Sequence, residues 1–141
     1  MTGSPLVIGV GNEHRGDDAA GVEVVRRLDS DRVVEISDCS RLLDAWEGEA
    51  DVIVVDAMRS GRSPGSVLEL DGRSQSFPTK SFPSSHSFGL ADAVELGRIL
   101  NRLPHRLTVY GIEALNLDPG DEMSPDVARA VSEVVSAIQE S

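Results

Sequence analysis

The chain has 141 residues, of which 40% are hydrophobic and 26% are charged, a balance typical of one globular domain with a sizeable core. Its formal net charge of −11 disfavours nucleic acid and anionic membrane surfaces as partners, because both require a basic face. Because Cys39 is the only cysteine in the sequence, an internal disulfide and a cysteine-rich metal site are both excluded. We expect Cys39 to be a small buried hydrophobe.

The start of the sequence lacks the basic patch and apolar stretch of a signal peptide. No apolar run is long enough to span a bilayer. We therefore expect a single cytoplasmic domain over residues 1–141, with no membrane partner.

The first half of the chain alternates short apolar runs with amphipathic ones. Residues 5–10 are apolar and β-branched, which predicts a buried strand, and residues 19–28 have apolar positions at helical spacing. A second strand is predicted over residues 31–36 and a short helix over residues 40–46. Residues 51–57 are apolar on both faces, as central parallel strands are.

The second half continues the alternation and adds two long loops. The predicted segments are an edge strand over 66–71, a loop over 72–85, a helix over 87–103 ended by Pro104, a strand over 106–111, a loop over 112–123 and a last helix with Ser124 as N-cap and Pro125 in its first turn. Because segment 66–71 follows its predecessor without a helix, we expect it to pair antiparallel at an edge. The pattern predicts an α/β fold, a three-layer α/β/α sandwich with about five strands, mostly parallel.

Acidic and imidazole side chains fall at the predicted strand ends. Asp17 and Asp18 follow the first strand and its glycines, Asp56 closes the central strand, and His86 lies just before the third helix. In open α/β sheets, ligands bind beyond the carboxyl ends of the strands, where the strand order reverses. If the first and third strands are neighbours, Asp18, Asp56 and His86 converge on one crevice. Two carboxylates and an imidazole suit a divalent transition metal with positions open for substrate.

Other interpretations of these residues stay open at this point. Either Asp17 or Asp18 is expected to cap the first helix. Asp56 alone is compatible with a turn cap, and His86 with an ordinary surface histidine. Glu113 is either an acid that supports the site or a loop solubiliser. A nucleotide-binding loop is disfavoured, because Asp17 and Asp18 stand where a phosphate loop has Lys and Ser or Thr, and two carboxylates would repel a phosphate.

Several motifs in a fixed order resemble one known family. They are Gly9-Val10-Gly11-Asn12 followed by Gly16-Asp17-Asp18 and Gly21, then Val54-Val55-Asp56-Ala57, Ser85-His86 before a Leu/Ala-rich helix, and Tyr110-Gly111-Ile112-Glu113. Over about residues 5–138 the chain resembles the hydrogenase maturation proteases, nickel-dependent endopeptidases that trim the C-terminus of the large subunit of nickel–iron hydrogenase. It departs from them at Ala19, where many members have Gly, and at Ala114, where a Pro often follows the late Glu.

The resemblance implies a specific activity and site. Asp18, Asp56 and His86 are then the nickel-contacting and catalytic groups, and Asp17 is the helix cap that orients them. The substrate is the precursor of a hydrogenase large subunit, and it presents the nickel itself. The implied reaction removes a C-terminal peptide, and one carboxylate accepts the proton of the attacking water. The alternatives are a noncatalytic metal-binding maturation module on the same fold and a nucleotide-binding regulatory domain.

Overall fold

The structure is a computed structural model that describes residues 4–74 and 88–140. Its elements in chain order are β1 (Leu6–Val10), α1 (Ala20–Arg27), β2 (Val33–Ile36), α2 (Leu42–Ala45), β3 (Asp51–Met58), β4 (Val67–Asp71), α3 (Leu90–Ile99), β5 (Arg106–Glu113) and α4 (Pro125–Glu140). A short 3-10 turn precedes α1 (Gly16–Ala19), and another precedes α2 (Cys39–Arg41). Over these two ranges, no helix has the length and apolar character needed to cross a bilayer.

The five strands form one sheet in the order β2-β1-β3-β5-β4. β1 runs parallel to β2 and β3, and β3 runs parallel to β5, whereas β4 pairs antiparallel with β5 at the edge. The predicted mostly parallel sheet with one antiparallel edge strand is therefore confirmed. The chain runs outward from β1 to β2 and then crosses back to β3, so the strand order reverses between β1 and β3.

Two apolar clusters, one on each face of the sheet, make up the core. Helices α2 and α3 cover one face, and α1 and α4 cover the other, which confirms the three-layer arrangement. β1 and β3 are buried along nearly their whole length, because both of their faces lie under helices. Trp46, which is 1% exposed, fills the first cluster and donates its indole N–H to the Arg102 carbonyl at 2.9 Å.

Helix α1 lies directly on the backbone of the sheet. A Cβ at Gly21 would overlap the carbonyl oxygen of Val55 in β3 and would come within 2.7 Å of the Val10 carbonyl oxygen. Only glycine allows an approach this close. The 3-10 turn that carries the two adjacent acids is thereby held over the place where the strand order reverses.

The third helix is shorter than the sequence predicts. It ends at Ile99, although the apolar spacing continues to Leu103, and it stops well before Pro104. Asn101 lies in the left-handed region with φ of 55°, and the amides of Asn101 and Arg102 bond back to carbonyls of the last turn at 3.2 and 2.7 Å. This is a Schellman ending, in which Asn replaces the usual glycine. Leu103 reaches the core from the following turn, which is why its spacing imitates a helix.

Two further predictions fall wholly or partly beyond the part of the chain that the structure describes. Most of the predicted loop over 72–85 lies outside the described residues, and so does the predicted start of the third helix at Ser87.

The last predicted loop is shorter than expected, because β5 continues through Ile112 to Glu113.

Candidate functional site

Asp56 lies within β3 and not at its end. The strand continues to Met58, because β5 extends alongside it and pairs Ala57 with Ile112. The prediction that Asp56 closes the strand is therefore wrong in this detail. Its side chain has the same alternation as Val52 and Val54, which places it on the face covered by α2 and α3, and it is 6% exposed.

The last register pair between β1 and β3 joins Gly9 to Val55, so Asp56 is the first β3 residue beyond that pairing. The loop that follows β1 therefore begins beside it. The carboxylate of Asp18 comes back to this loop and accepts the Asn12 amide at 3.0 Å. Gly11 has φ of 149°, and a Cβ there would overlap the Asp18 carbonyl oxygen. The glycine thus permits the tight return that places Asp18 beside the end of β1.

The carboxyl groups of Asp18 and Asp56 interact electrostatically. Burial raises the pKa of Asp56 well above its ordinary value, and the negative charge of Asp18 raises it further against the opposing Ala57 amide. Burial also raises the pKa of Asp18, while the Asn12 amide and the Arg15 charge act in the opposite direction. The structure therefore brings these two predicted site residues together where β1 ends beside β3.

The pair fits a divalent cation. Two desolvated carboxyl groups that repel each other as anions are both stabilised by a positive ion placed between them. Within residues 4–74 and 88–140, no group of three His, Cys, Asp or Glu side chains forms a metal-binding cluster. The predicted third ligand, His86, lies outside the described residues, so its place at the site stays a prediction.

Cys39 lies close enough to Asp18 and Asp56 for their charges to act on its thiol. Cys39 is 8% exposed. Burial is the main cause that raises the pKa of its thiol, and the charges of four nearby acids raise it further: Asp56, Asp38, Asp18 and Asp92. The expectation of a small buried cysteine is confirmed. A thiol held neutral in this way is neither a good nucleophile nor a good metal ligand.

Asp17 has a different role from the predicted helix cap. Helix α1 has Ala19 at its N-cap position, without a side-chain capping bond. The fully buried carboxylate of Asp17 instead accepts the amides of Leu115 (2.8 Å), Asn116 (2.9 Å) and Ser124 (2.7 Å) and the Ser124 hydroxyl (2.8 Å). The capping prediction is wrong because the Asp17 carboxylate is fully occupied by donors from the loop after β5, which lies far away in the sequence. A helix has one N-cap position, so the presence of two adjacent acids at its start was the only feature of the sequence to indicate that one of them has another role.

Glu113 has a similar anchoring role in another loop. It is 3% exposed at the end of β5, and both of its carboxylate oxygens accept the Ser60 amide at 3.1 Å. The Ser60 hydroxyl also donates to it at 2.6 Å. Because Glu113 is buried and bonded, it is not a loop solubiliser, and it holds the segment between β3 and β4 next to β5.

Fold and site together define the class of the protein. It is a doubly wound α/β protein in which the half-buried carboxyl group of Asp18 and the buried one of Asp56 lie where the strand order reverses. The family model of the hydrogenase maturation proteases (HycI) matches residues 25–141. The hydrogenase 2 maturation protease of Escherichia coli strain K12 is 31% identical over 151 residues, which cover 96% of this chain and 91% of that protein. The chain belongs to the hydrogenase maturation protease family.

Solved structures agree with this assignment. The hydrogenase maturating endopeptidase HybD of E. coli has a TM-score of 0.74 at 27% identity, over 98% of this chain and 93% of that one. The [NiFe] hydrogenase maturation protease HybD of Thermococcus kodakarensis has a TM-score of 0.73 over 98% of both chains, and at 24% identity this likeness concerns the fold alone. The family gives the chain a protease role in hydrogenase maturation.

Proposed function

We propose that the protein is an endopeptidase that removes a C-terminal peptide from the nickel-loaded precursor of a nickel–iron hydrogenase large subunit, and that it acts in the cytoplasm. The family supports a protease in hydrogenase maturation. The observation that carries the proposal is the placement of Asp18, bonded to the loop after β1, beside the buried Asp56 of β3, where the charge of Asp18 also raises the pKa of Asp56.

Asp18, Asp56 and His86 are the residues that would hold nickel. In this proposal the precursor brings the ion, so nickel is part of the substrate and not a resident cofactor. Nickel bound beside a peptide bond would polarise its carbonyl group towards attack by water. The two carboxyl groups have the oxygen donors and the negative charge that such an ion requires.

The same pair also supplies a base. A carboxylate with a raised pKa takes a proton at neutral pH more readily than an ordinary one. Of the two acids, Asp56 is the more deeply buried, and its pKa is raised both by burial and by Asp18. We therefore assign to Asp56 the proton that the attacking water gives up.

The test is a cleavage assay on the purified protein. It is mixed with the hydrogenase large-subunit precursor from the same cell, in nickel-loaded and nickel-free form, and the product masses are measured. We expect loss of a C-terminal peptide from the nickel-loaded form only. Cleavage independent of nickel would refute the nickel requirement, and binding without cleavage would favour the noncatalytic module.

Three variants test the assigned residues, each beside a matched control. Asp18→Asn, Asp56→Asn and His86→Ala are expected to abolish cleavage with the fold retained. Asp126→Asn and His105→Ala change exposed groups of the same types and should cleave normally. Full cleavage by any of the three site variants would remove that residue from the site.

A further inference from the structure

Arg15, in the loop between β1 and α1, has a buried donor without an acceptor. Its Nε is shielded from solvent and, among the residues that the structure describes, has no hydrogen-bond partner. Most arginines in the described ranges are engaged: Arg26 pairs with Glu13 and Glu35, and Arg102 with Asp44 and Glu47. Nearly all buried polar groups in native proteins are hydrogen-bonded, so an unsatisfied one indicates a position kept for another reason.

The backbone holds Arg15 firmly beside the candidate site. Its amide donates to the Asn12 carbonyl at 3.2 Å, and its carbonyl accepts the Asp18 amide at 3.0 Å. The guanidinium is near enough to lower the pKa of Asp18, but within the described part of the chain no ion pair joins the two. The Asp18 carboxylate is bonded to the Asn12 amide instead. Within the described residues, the Nε donor of Arg15 is therefore left unsatisfied next to Asp18.

The surroundings limit what this guanidinium can receive. Its five N–H groups are all donors, so the partner must present an acceptor. A carboxylate entering here would meet the acidic side chain of Asp18, whose charge already raises the pKa of Asp56. A neutral carbonyl oxygen meets no such repulsion, and an extended peptide presents one at every residue.

We propose that Arg15 binds the peptide backbone of the precursor, with its guanidinium donating to a carbonyl oxygen of the segment that is cleaved. This inference rests on the proposed endopeptidase function. Arg15 then holds the substrate chain against the crevice and takes no part in the chemical step. Because it binds the chain equally before and during reaction, its loss should appear in KM and not in kcat.

Steady-state cleavage of the nickel-loaded precursor tests this role. We expect Arg15→Met to raise KM about 10- to 100-fold, the value of one hydrogen bond to a charged group, with kcat unchanged. Its thermal midpoint should equal or exceed that of the wild type, because the change removes an unsatisfied buried donor. Arg15→Lys should recover part of the affinity, since it keeps the charge but not the planar fork. Arg106→Met, at the far end of β5, is the matched control and should leave KM unchanged.

Each other result has a definite meaning. An unchanged KM in Arg15→Met, or a lower thermal midpoint that accounts for its weaker binding, would overturn the proposal. A fall in kcat at constant KM would also overturn it, because Arg15 would then act in the transition state. If neutralising the acidic side chains of the precursor's C-terminal segment abolishes the effect of Arg15→Met, the partner is a carboxylate and the carbonyl assignment is wrong. Failure of the endopeptidase function itself would appear in the wild type, which would not cleave.

Discussion

The Asp17 carboxylate offers the sharpest test of how the fold holds the site. Asp17→Asn is nearly isosteric and removes the charge and one acceptor oxygen. In the structure, Oδ1 accepts the Ser124 amide, while Oδ2 accepts the amides of Leu115 and Asn116 and the Ser124 hydroxyl. With the asparagine oxygen in the Oδ2 position, its NH₂ group faces the Ser124 amide, so two donors oppose each other.

The magnitude follows from these four bonds. One buried amide loses its acceptor, which costs about 1–3 kcal/mol, and the other three bonds lose their charge assistance. We expect a total loss of about 2–4 kcal/mol in the free energy of unfolding. For a chain of this size, each kcal/mol lowers the thermal midpoint by about 3 °C, so the midpoint should fall by about 6–12 °C.

The assay is chemical and thermal unfolding of the purified variants. Ser124→Ala removes only the hydroxyl donor and should cost about 1 kcal/mol. Asp126→Asn changes an exposed carboxylate that accepts from Arg129 at 2.9 Å, and its effect should stay within about 0.5 kcal/mol. If Asp17→Asn destabilises the protein no more than Asp126→Asn does, Asp17 is not the anchor of the loop after β5.

Three further predictions concern the core and the crevice. Because the pKa of Asp56 is raised in the folded protein, its contribution to stability is complete below the unfolded-state pKa and is lost as pH rises through the folded-state pKa. Nickel-free Asp56→Asn should therefore have a higher thermal midpoint than the wild type at pH 7, and the difference should vanish in acid. Equal midpoints at both pH values would contradict this. Gly21→Ala forces a Cβ onto the Val55 carbonyl and should cost about 3 kcal/mol in denaturant unfolding. Gly48→Ala, in open space with φ of 77°, should cost only about 1–2 kcal/mol, and equal losses would contradict the close approach of α1. Cys39 should react with a thiol reagent only at the rate of unfolding, and fast labelling of the native protein would show that the thiol is accessible.

The positions of Asp18 and Asp56 were predictable because they depend on local patterns. An apolar run followed by glycines and acids identifies a strand and the turn after it, and the parallel order of the strands brings such turns to one edge of the sheet. The meeting of the two acids still depended on β1 lying next to β3. That adjacency depends on the tertiary fold. From the sequence, the meeting of the two acids could be predicted only on the assumption that the first and third strands are neighbours.

The roles of Asp17 and Glu113 were not predictable from local patterns. The carboxylate of Glu113 is bonded to Ser60, 53 positions away. No periodicity or spacing rule links residues at such separations. The same limit explains the early end of α3, where Asn101 takes the conformation usual for glycine and Leu103 continues the apolar spacing from a non-helical turn.

The bonds of Asp17 also have a consequence for the order of synthesis. The donors that complete its environment lie 98, 99 and 107 positions later in the chain. While a ribosome is still making the first two thirds of the protein, the donors that bond the Asp17 carboxylate do not yet exist. The turn that carries Asp17 and Asp18 is then not anchored. The crevice can take its final form only after the loop following β5 has emerged, so the growing chain has no finished site to offer a precursor.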